Sequence, residues 1–112
     1  MILEVTKRAQ NKLEELGFKP NESVLLIIYE TDGCGCAVNG VSRLQEVKPE
    51  TLTEEEKMVE TESSPYRTAI QKRAEWAYDE KLKIDFSLSA NTFQLKSPNE
   101  MLNPRMSYQP SV

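Results

Sequence analysis

Two cysteines, Cys34 and Cys36, stand one glycine apart in the segment DGCGCAVNG (32–40), and they are the only cysteines in a 112-residue chain that has no histidine. The spacing bounds what they can do. Fully extended, their Cα atoms would lie roughly 6.6 Å apart with both sulfurs on one face. Gly35, lacking a Cβ, also permits a bent arrangement in which the sulfurs converge. Converging thiolates are soft ligands for zinc, copper(I) or iron, so Cys34 and Cys36 are candidate metal ligands. Alone they make half a site: structural zinc takes four donors, and iron–sulfur clusters are usually held by four cysteines. Two chains related by a twofold would bring four thiolates together, and a partner protein lending ligands would do the same. Asp32 and Glu30 could offer an oxygen, but they read more simply as solvated turn residues.

Two other readings of the pair stay open. Free cysteine packs as a small hydrophobe and is among the most buried residue types, so Gly-Cys-Gly-Cys could be a tight turn set into the core. Thiol redox chemistry has less support, with no C-x-x-C and no cation nearby in sequence. Without histidine no Ser/His/Asp set exists, and no glycine-rich phosphate loop opens a helix. An enzyme is not expected.

The elements that must carry this segment are readable around it. Thr6 before KRAQNKLEEL marks a helix N-cap. Ala9, Leu13 and Leu16 share one face, and Gly17 supplies the left-handed residue that ends it. SVLLIIYET (23–31) is a strand whose unbroken apolar run predicts that both faces are covered. Asn39-Gly40, between Val38 and Val41, is a hairpin signal, because both turn positions favour positive φ. The C-G-C segment therefore lies in the loop between a central strand and a hairpin. PETLTEEEK (49–57) reads as a solvated connection and KMVETES as a strand. LKIDFSL (82–88) turns Leu82, Ile84, Phe86 and Leu88 to one side, which predicts Asp85 exposed or stabilising a turn; TFQLK follows after Ser89-Ala90-Asn91 as another strand. Trp76, Tyr78, Phe86 and Phe93 are expected in the core, and Asn99 and Asn103 to brace the tail. Residues 64–79 fit either a helix starting at Ser64-Pro65 or a strand over Tyr66–Gln71 with a helical turn around Trp76.

Composition narrows the partners. The net charge is −4, and the longest basic runs are Lys7-Arg8 and Lys72-Arg73, so nucleic acid and anionic membranes are disfavoured. The longest apolar run, Val24 to Tyr29, is far short of the roughly twenty residues that cross a bilayer. The opening MILEVTKRAQNKLEELG lacks the apolar stretch of a secretory signal, which predicts a cytoplasmic protein whose thiols are free or metal-bound.

GCGCAVNGVSRL, together with KIDFS and FQLKSPNEMLNPRM, resembles the HesB-like family of iron–sulfur cluster biosynthesis proteins, in particular the small stand-alone members of Gram-positive bacteria. The resemblance covers nearly the whole chain. It implies an α+β, mainly β fold: one compact sandwich or barrel-like domain over 1–112 with an N-terminal helix and an irregular tail from about residue 103. It also favours the strand over Tyr66–Gln71. By function it implies an assembly or carrier protein for iron or an iron–sulfur cluster, meeting iron–sulfur assembly proteins or apo-protein clients and capable of forming homo-oligomers. A-type carriers use one cysteine after the central strand and two in a C-terminal C-G-C. Here Gly33-Cys34 matches the first, Cys36 is extra, and the C-terminal positions hold about Pro104 and Met106, neither a thiolate. That departure keeps a second reading in play: a HesB-like interaction or scaffold module that no longer binds metal.

Overall fold

A computed structural model of the chain describes residues 2–30, 41–62, 66–98 and 100–110. Its strands are β1 (Ile2–Val5), β2 (Val24–Glu30), β3 (Val41–Val47), β4 (Glu56–Thr61), β5 (Thr68–Gln71), β6 (Lys81–Ser87), β7 (Thr92–Lys96), β8 (Met101–Met106) and β9 (Tyr108–Gln109). One α-helix, α1 (Lys7–Glu15), and short 3-10 turns at Pro49–Thr51 and Lys72–Ala77 complete the described residues.

The strands form one sheet in the order β8-β7-β6-β1-β4-β5-β2-β3-β9. Its two ends, β8 and β9, are separated in sequence by Ser107 alone, so the chain itself draws the sheet round on itself. The Leu44 N–H donates to the Ser107 carbonyl (2.8 Å), which seals β3 to this corner. The outcome is the mainly β, nearly closed barrel that the resemblance implies, with the helix at its N-terminal end.

Local chemistry accounts for the helix. The Thr6 hydroxyl oxygen accepts from the Ala9 N–H, supplying the cap. At the other end Gly17 takes φ +92°, its N–H donates to Glu14, and the Phe18 N–H donates to Leu13. That is a Schellman closure, with Phe18 and Leu13 both in the core. Ala9 and Leu13 are buried as the spacing predicts. Leu16 is 45% exposed, because it stands at the C-cap, where the helical repeat stops.

Strand β2 is covered on both faces: Val24, Leu25, Leu26 and Ile27 are all buried. Leu25 and Ile27 join the main core with Leu44, Ile70, Ile84 and Leu95. Val24 and Leu26 form a second cluster with Ala69, against which Ile28, Val47 and Leu52 pack. The connection after β3 thus places Leu52 over the outer face of the sheet.

Residues 66–77 resolve as a strand followed by a 3-10 turn, not as a helix. Thr68, Ala69 and Ile70 are all buried between β2 and β4. The proposed helix start at Ser64-Pro65 lies outside the described residues.

Two expectations are corrected, and one strand is new. The tail is not irregular from residue 103: β8 pairs with β7 and β9 with β3. β8 carries Pro104 at a sheet edge, where a missing N–H is tolerated, and its register against β7 shifts twice between Phe93 and Lys96. Each shift inserts an extra β8 residue, the signature of a bulge. Leu88 does not continue the inward stripe of β6; it lies in the turn beyond Ser87, 74% exposed. β1, which nothing in MILEV announces, is held by parallel neighbours on both sides, β4 and β6.

Candidate functional site

Cys34 and Cys36, with Asp32, Gly33, Gly35 and the Asn39-Gly40 turn, lie outside the described residues, as does Asn99. What the structure describes is the base on which the 31–40 segment stands. β2 and β3 pair antiparallel from Val24↔Val47 through Tyr29↔Ser42 to Glu30↔Val41, a pairing the sequence did not announce, which places both ends of the segment side by side.

At this base the β2–β5 and β3–β9 ladders end among the described residues. The last β2–β5 partners are Ile27↔Ile70, and the first β3–β9 partners are Leu44↔Tyr108. Side chains also bond the backbone here. The Tyr29 N–H donates to Gln71 Oε1 (3.0 Å), and the Arg73 guanidinium donates to the Tyr29 carbonyl (3.2 Å). On the opposite strand, Asn103 Nδ2 donates to the Ser42 carbonyl at 2.6 Å. Ser42 Oγ and Tyr78 Oη share a hydrogen bond of 3.1 Å. Burial raises the Tyr78 phenol above its ordinary value, with the Ser42 bond opposing that shift.

An aromatic cluster joins the two sides. The Tyr29 ring meets Tyr78 edge-on at 6.0 Å and Trp76 edge-on at 5.9 Å, geometries that aromatic pairs prefer. Trp76, expected in the core, is 77% exposed. It rides on the 3-10 turn 72–77, which an ion pair between Lys57 and Glu75 (2.7 Å) ties to β4. That turn also carries Arg73, so a cation that no sequence neighbour supplies to the C-G-C segment is brought by the fold to its base.

Pro104 and Met106, about where the resemblance puts the carriers' second cysteine pair, are on β8. Pro104 is exposed, Met106 is buried in the core, and Asn103 between β8 and β3 reaches Ser42. Asn103 was expected to brace the tail; it also braces the strand that leaves the C-G-C segment. Ser42, Tyr78, Gln71 and Arg73 carry no local sequence signal, because their partners lie dozens of residues away.

A second polar cluster surrounds Asp85, which is 3% exposed where alternation predicts an exposed or turn residue. It does point away from the stripe of Ile84 and Phe86, but that side is covered. Its carboxylate accepts from Thr6 Oγ1 (2.7 Å), Arg8 Nη2 (2.7 Å), Lys96 Nζ (2.9 Å) and the Phe86 N–H (2.8 Å). Burial alone would raise this carboxyl; the bonds from Lys96, Thr6, Phe86 and Arg8 outweigh it and hold it well below the usual carboxylate range. The cluster joins the start of α1 to β6 and β7, and among the described residues no group of three or more His, Cys, Asp or Glu side chains could hold a metal ion. No helix among them is long and apolar enough to cross a membrane.

Comparison with known proteins places this architecture. A family profile described as iron-sulphur cluster biosynthesis matches residues 1–109. The uncharacterized protein YqkB of Bacillus subtilis (strain 168) is 37% identical over 108 residues, covering 96% of each chain. A proposed Fe-S biosynthesis protein from Lactobacillus salivarius, whose crystal structure was described as a novel fold, superposes with a TM-score of 0.76 at 18% identity over 98% of both chains. A corresponding protein from Lactobacillus acidophilus also gives 0.76, at 11% identity, over 98% of this chain and 90% of its own; at such identities the likeness concerns the fold. The resemblance read from GCGCAVNGVSRL and its companions is thus met along the whole sequence, and the chain belongs to the HesB-like, iron–sulphur cluster biosynthesis family.

Proposed function

We propose that this protein carries iron or an iron–sulfur cluster as cargo during cluster assembly in the cytoplasm, with Cys34 and Cys36 as its thiolate ligands and no catalytic step of its own. Family membership supports a role in iron–sulfur cluster assembly. The observation that favours the ligand assignment is the braced pair of strand ends, β2 and β3, between which the chain's only thiols lie. The donor set suits soft metals and supplies half of a four-thiolate site. A second copy of the chain, or a donor or client protein, would supply the rest.

Anaerobic reconstitution with iron and sulfide tests the reading. The expected result is a visible sulfide-to-iron charge-transfer band that is lost in Cys34→Ser and in Cys36→Ser. A wild-type protein that stays colourless overturns it. Because cargo held by two chains stabilises only the assembled state, the loaded wild type is expected to sediment as a dimer or higher even-numbered oligomer.

One observation favours a second reading, an interaction module without metal: the single tryptophan is exposed beside the base of the C-G-C segment, and exposed tryptophan is over-represented at protein contacts. The same reconstitution separates the two.

A further inference from the structure

We propose that the outer face of the sheet, across β4, β1, β6 and β7, carries a cleft for a small zwitterion, a free α-amino acid, held between an acidic and a basic wall. The inference is independent of the carrier reading. Alternation sets the walls. Leu3, Val5, Leu82, Ile84 and Leu95 are in the core, so Glu4, Lys83 and Lys96 point to the other face of the sheet. Register then orders them. Glu4 is opposite Lys83, and Lys83 is opposite Lys96. The Glu62 N–H donates to the Leu3 carbonyl (3.0 Å), which brings that residue beside β1. The row reads acid, acid, lysine, lysine, and Lys81 shares the face two residues before Lys83.

A cleft of about 480 Å³ opens along this row, with Ile2 and Pro98 adding apolar surface to its lining; that volume is within the range of small-molecule sites. Its charges are not spent on one another. Lys96 Nζ lies 2.9 Å from Asp85 Oδ2, but the side chains of Glu4, Glu62, Lys81 and Lys83 make no hydrogen bond or ion pair among the described residues. Like charges directly opposite each other repel; Asp85 draws Lys96 aside and leaves the Lys83 ammonium uncommitted. Two carboxylates thus face two free ammonium groups, and a plain anion or a plain cation is repelled by one wall. The complement is a molecule with both charges close together. Its carboxylate accepts from Lys81 and Lys83, its ammonium donates to Glu4 and Glu62, and a short side chain lies against Ile2 or Pro98. Hydrogen bonds between charged groups are the stronger ones.

The test titrates the protein at low salt and neutral pH with L-alanine, and separately with propionate and ethylamine, which carry one charge each on a similar frame. Backbone amide NMR shifts are followed. L-alanine is expected to move residues 2–4, 81–83 and 96–97 with a dissociation constant of about 1 mM, and the two half-ligands to bind at least about tenfold more weakly. Glu4→Gln and Lys83→Gln should each weaken L-alanine binding about tenfold, whereas Lys7→Gln, which removes an exposed lysine from α1, leaves it unchanged. The Glu4 and Lys83 variants test opposite walls, so either one decides if the other fails to fold. Propionate or ethylamine binding as tightly as L-alanine overturns the two-walled cleft, and so does wild-type affinity in either variant. An absence of shifts at these residues with L-alanine about 50-fold above the expected dissociation constant overturns the site altogether.

Discussion

The Asp85 cluster and the base of the C-G-C segment are both polar networks inside a small β-rich protein, yet they are built differently. Around Asp85 a single carboxylate gathers four donors, two of them cationic, from α1, β6 and β7. Around Tyr29 and Ser42 each acceptor has its own partner, mostly neutral, and aromatic edges fill the gaps. A buried charge loses heavily when its partners are removed, so the first network is a fixture of the folded state. Neutral hydrogen bonds contribute about 1 kcal/mol each, so the second can be adjusted piece by piece without unfolding the chain.

The largest expected effect breaks the charged side of the comparison. Asp85→Ala removes the shared acceptor of Thr6, Arg8 and Lys96 and should cost about 3 kcal/mol, read as a shift of the urea midpoint at neutral pH. A loss below about 1 kcal/mol would mean that water replaces the carboxylate and that the cluster is no more important than the neutral one.

Acid titration probes the same contrast with a somewhat smaller effect. The folded state holds the Asp85 carboxyl below its ordinary value of 3.8, so between the two values the unfolded chain binds more protons. Stability from this group is then fully present above about pH 4 and falls as the pH drops further. Asp85→Asn should unfold at lower denaturant than wild type at pH 7, with the difference narrowing below pH 4. Parallel acid limbs for the two proteins would remove Asp85 from the account.

Thr6→Ala comes next. It deletes the helix cap and one of the Asp85 donors, and should cost between about 1 and 2 kcal/mol. Thr6→Ser, which keeps the hydroxyl, should recover most of it. If the serine variant is as weak as the alanine one, the methyl group rather than the hydrogen bonds is responsible.

Sequence patterning disclosed those parts of the molecule in which neighbours along the chain decide the outcome. Thr6 and Gly17 bracket α1 by capping chemistry, and alternation announces β6 and β7. It failed where distant segments decide. Tyr66, Ala69, Ile70, Ala74 and Ala77 keep helical spacing, but pairing with β2 and β4 buries Thr68, Ala69 and Ile70 and imposes a strand. Asp85 obeys alternation in pointing away from Ile84 and Phe86, and only the arrival of Thr6, Arg8 and Lys96 turns that outer side into an interior. Pro104 masks β8, because proline argues against a strand unless the strand is known to be an edge. The candidate site divides in the same way. Cys34 and Cys36 are conspicuous from residue type and spacing, whereas Ser42, Tyr78 and Asn103 become a unit only when β8 meets β3.

The smallest expected change in stability sharpens what the exposed side of the base is for. Trp76 contacts Tyr29 by one ring edge and is otherwise in solvent, so Trp76→Ala should alter stability by no more than about 0.5 kcal/mol, as surface substitutions usually do. The fold therefore gives little reason for so large an apolar group to stand there. As the single tryptophan of the chain, it also reports its own surroundings. Adding iron and sulfide to the apo-protein should quench its fluorescence if cargo is held by the neighbouring segment, and pairing of two chains over this face should shift the emission to shorter wavelength. Emission that ignores loading in a protein that has become coloured would place the cargo away from the Tyr29–Trp76 side. A loss of more than about 1.5 kcal/mol in Trp76→Ala would instead make the indole part of the scaffold, erasing the distinction between a charged cluster that stabilises and a mostly neutral base that contributes less.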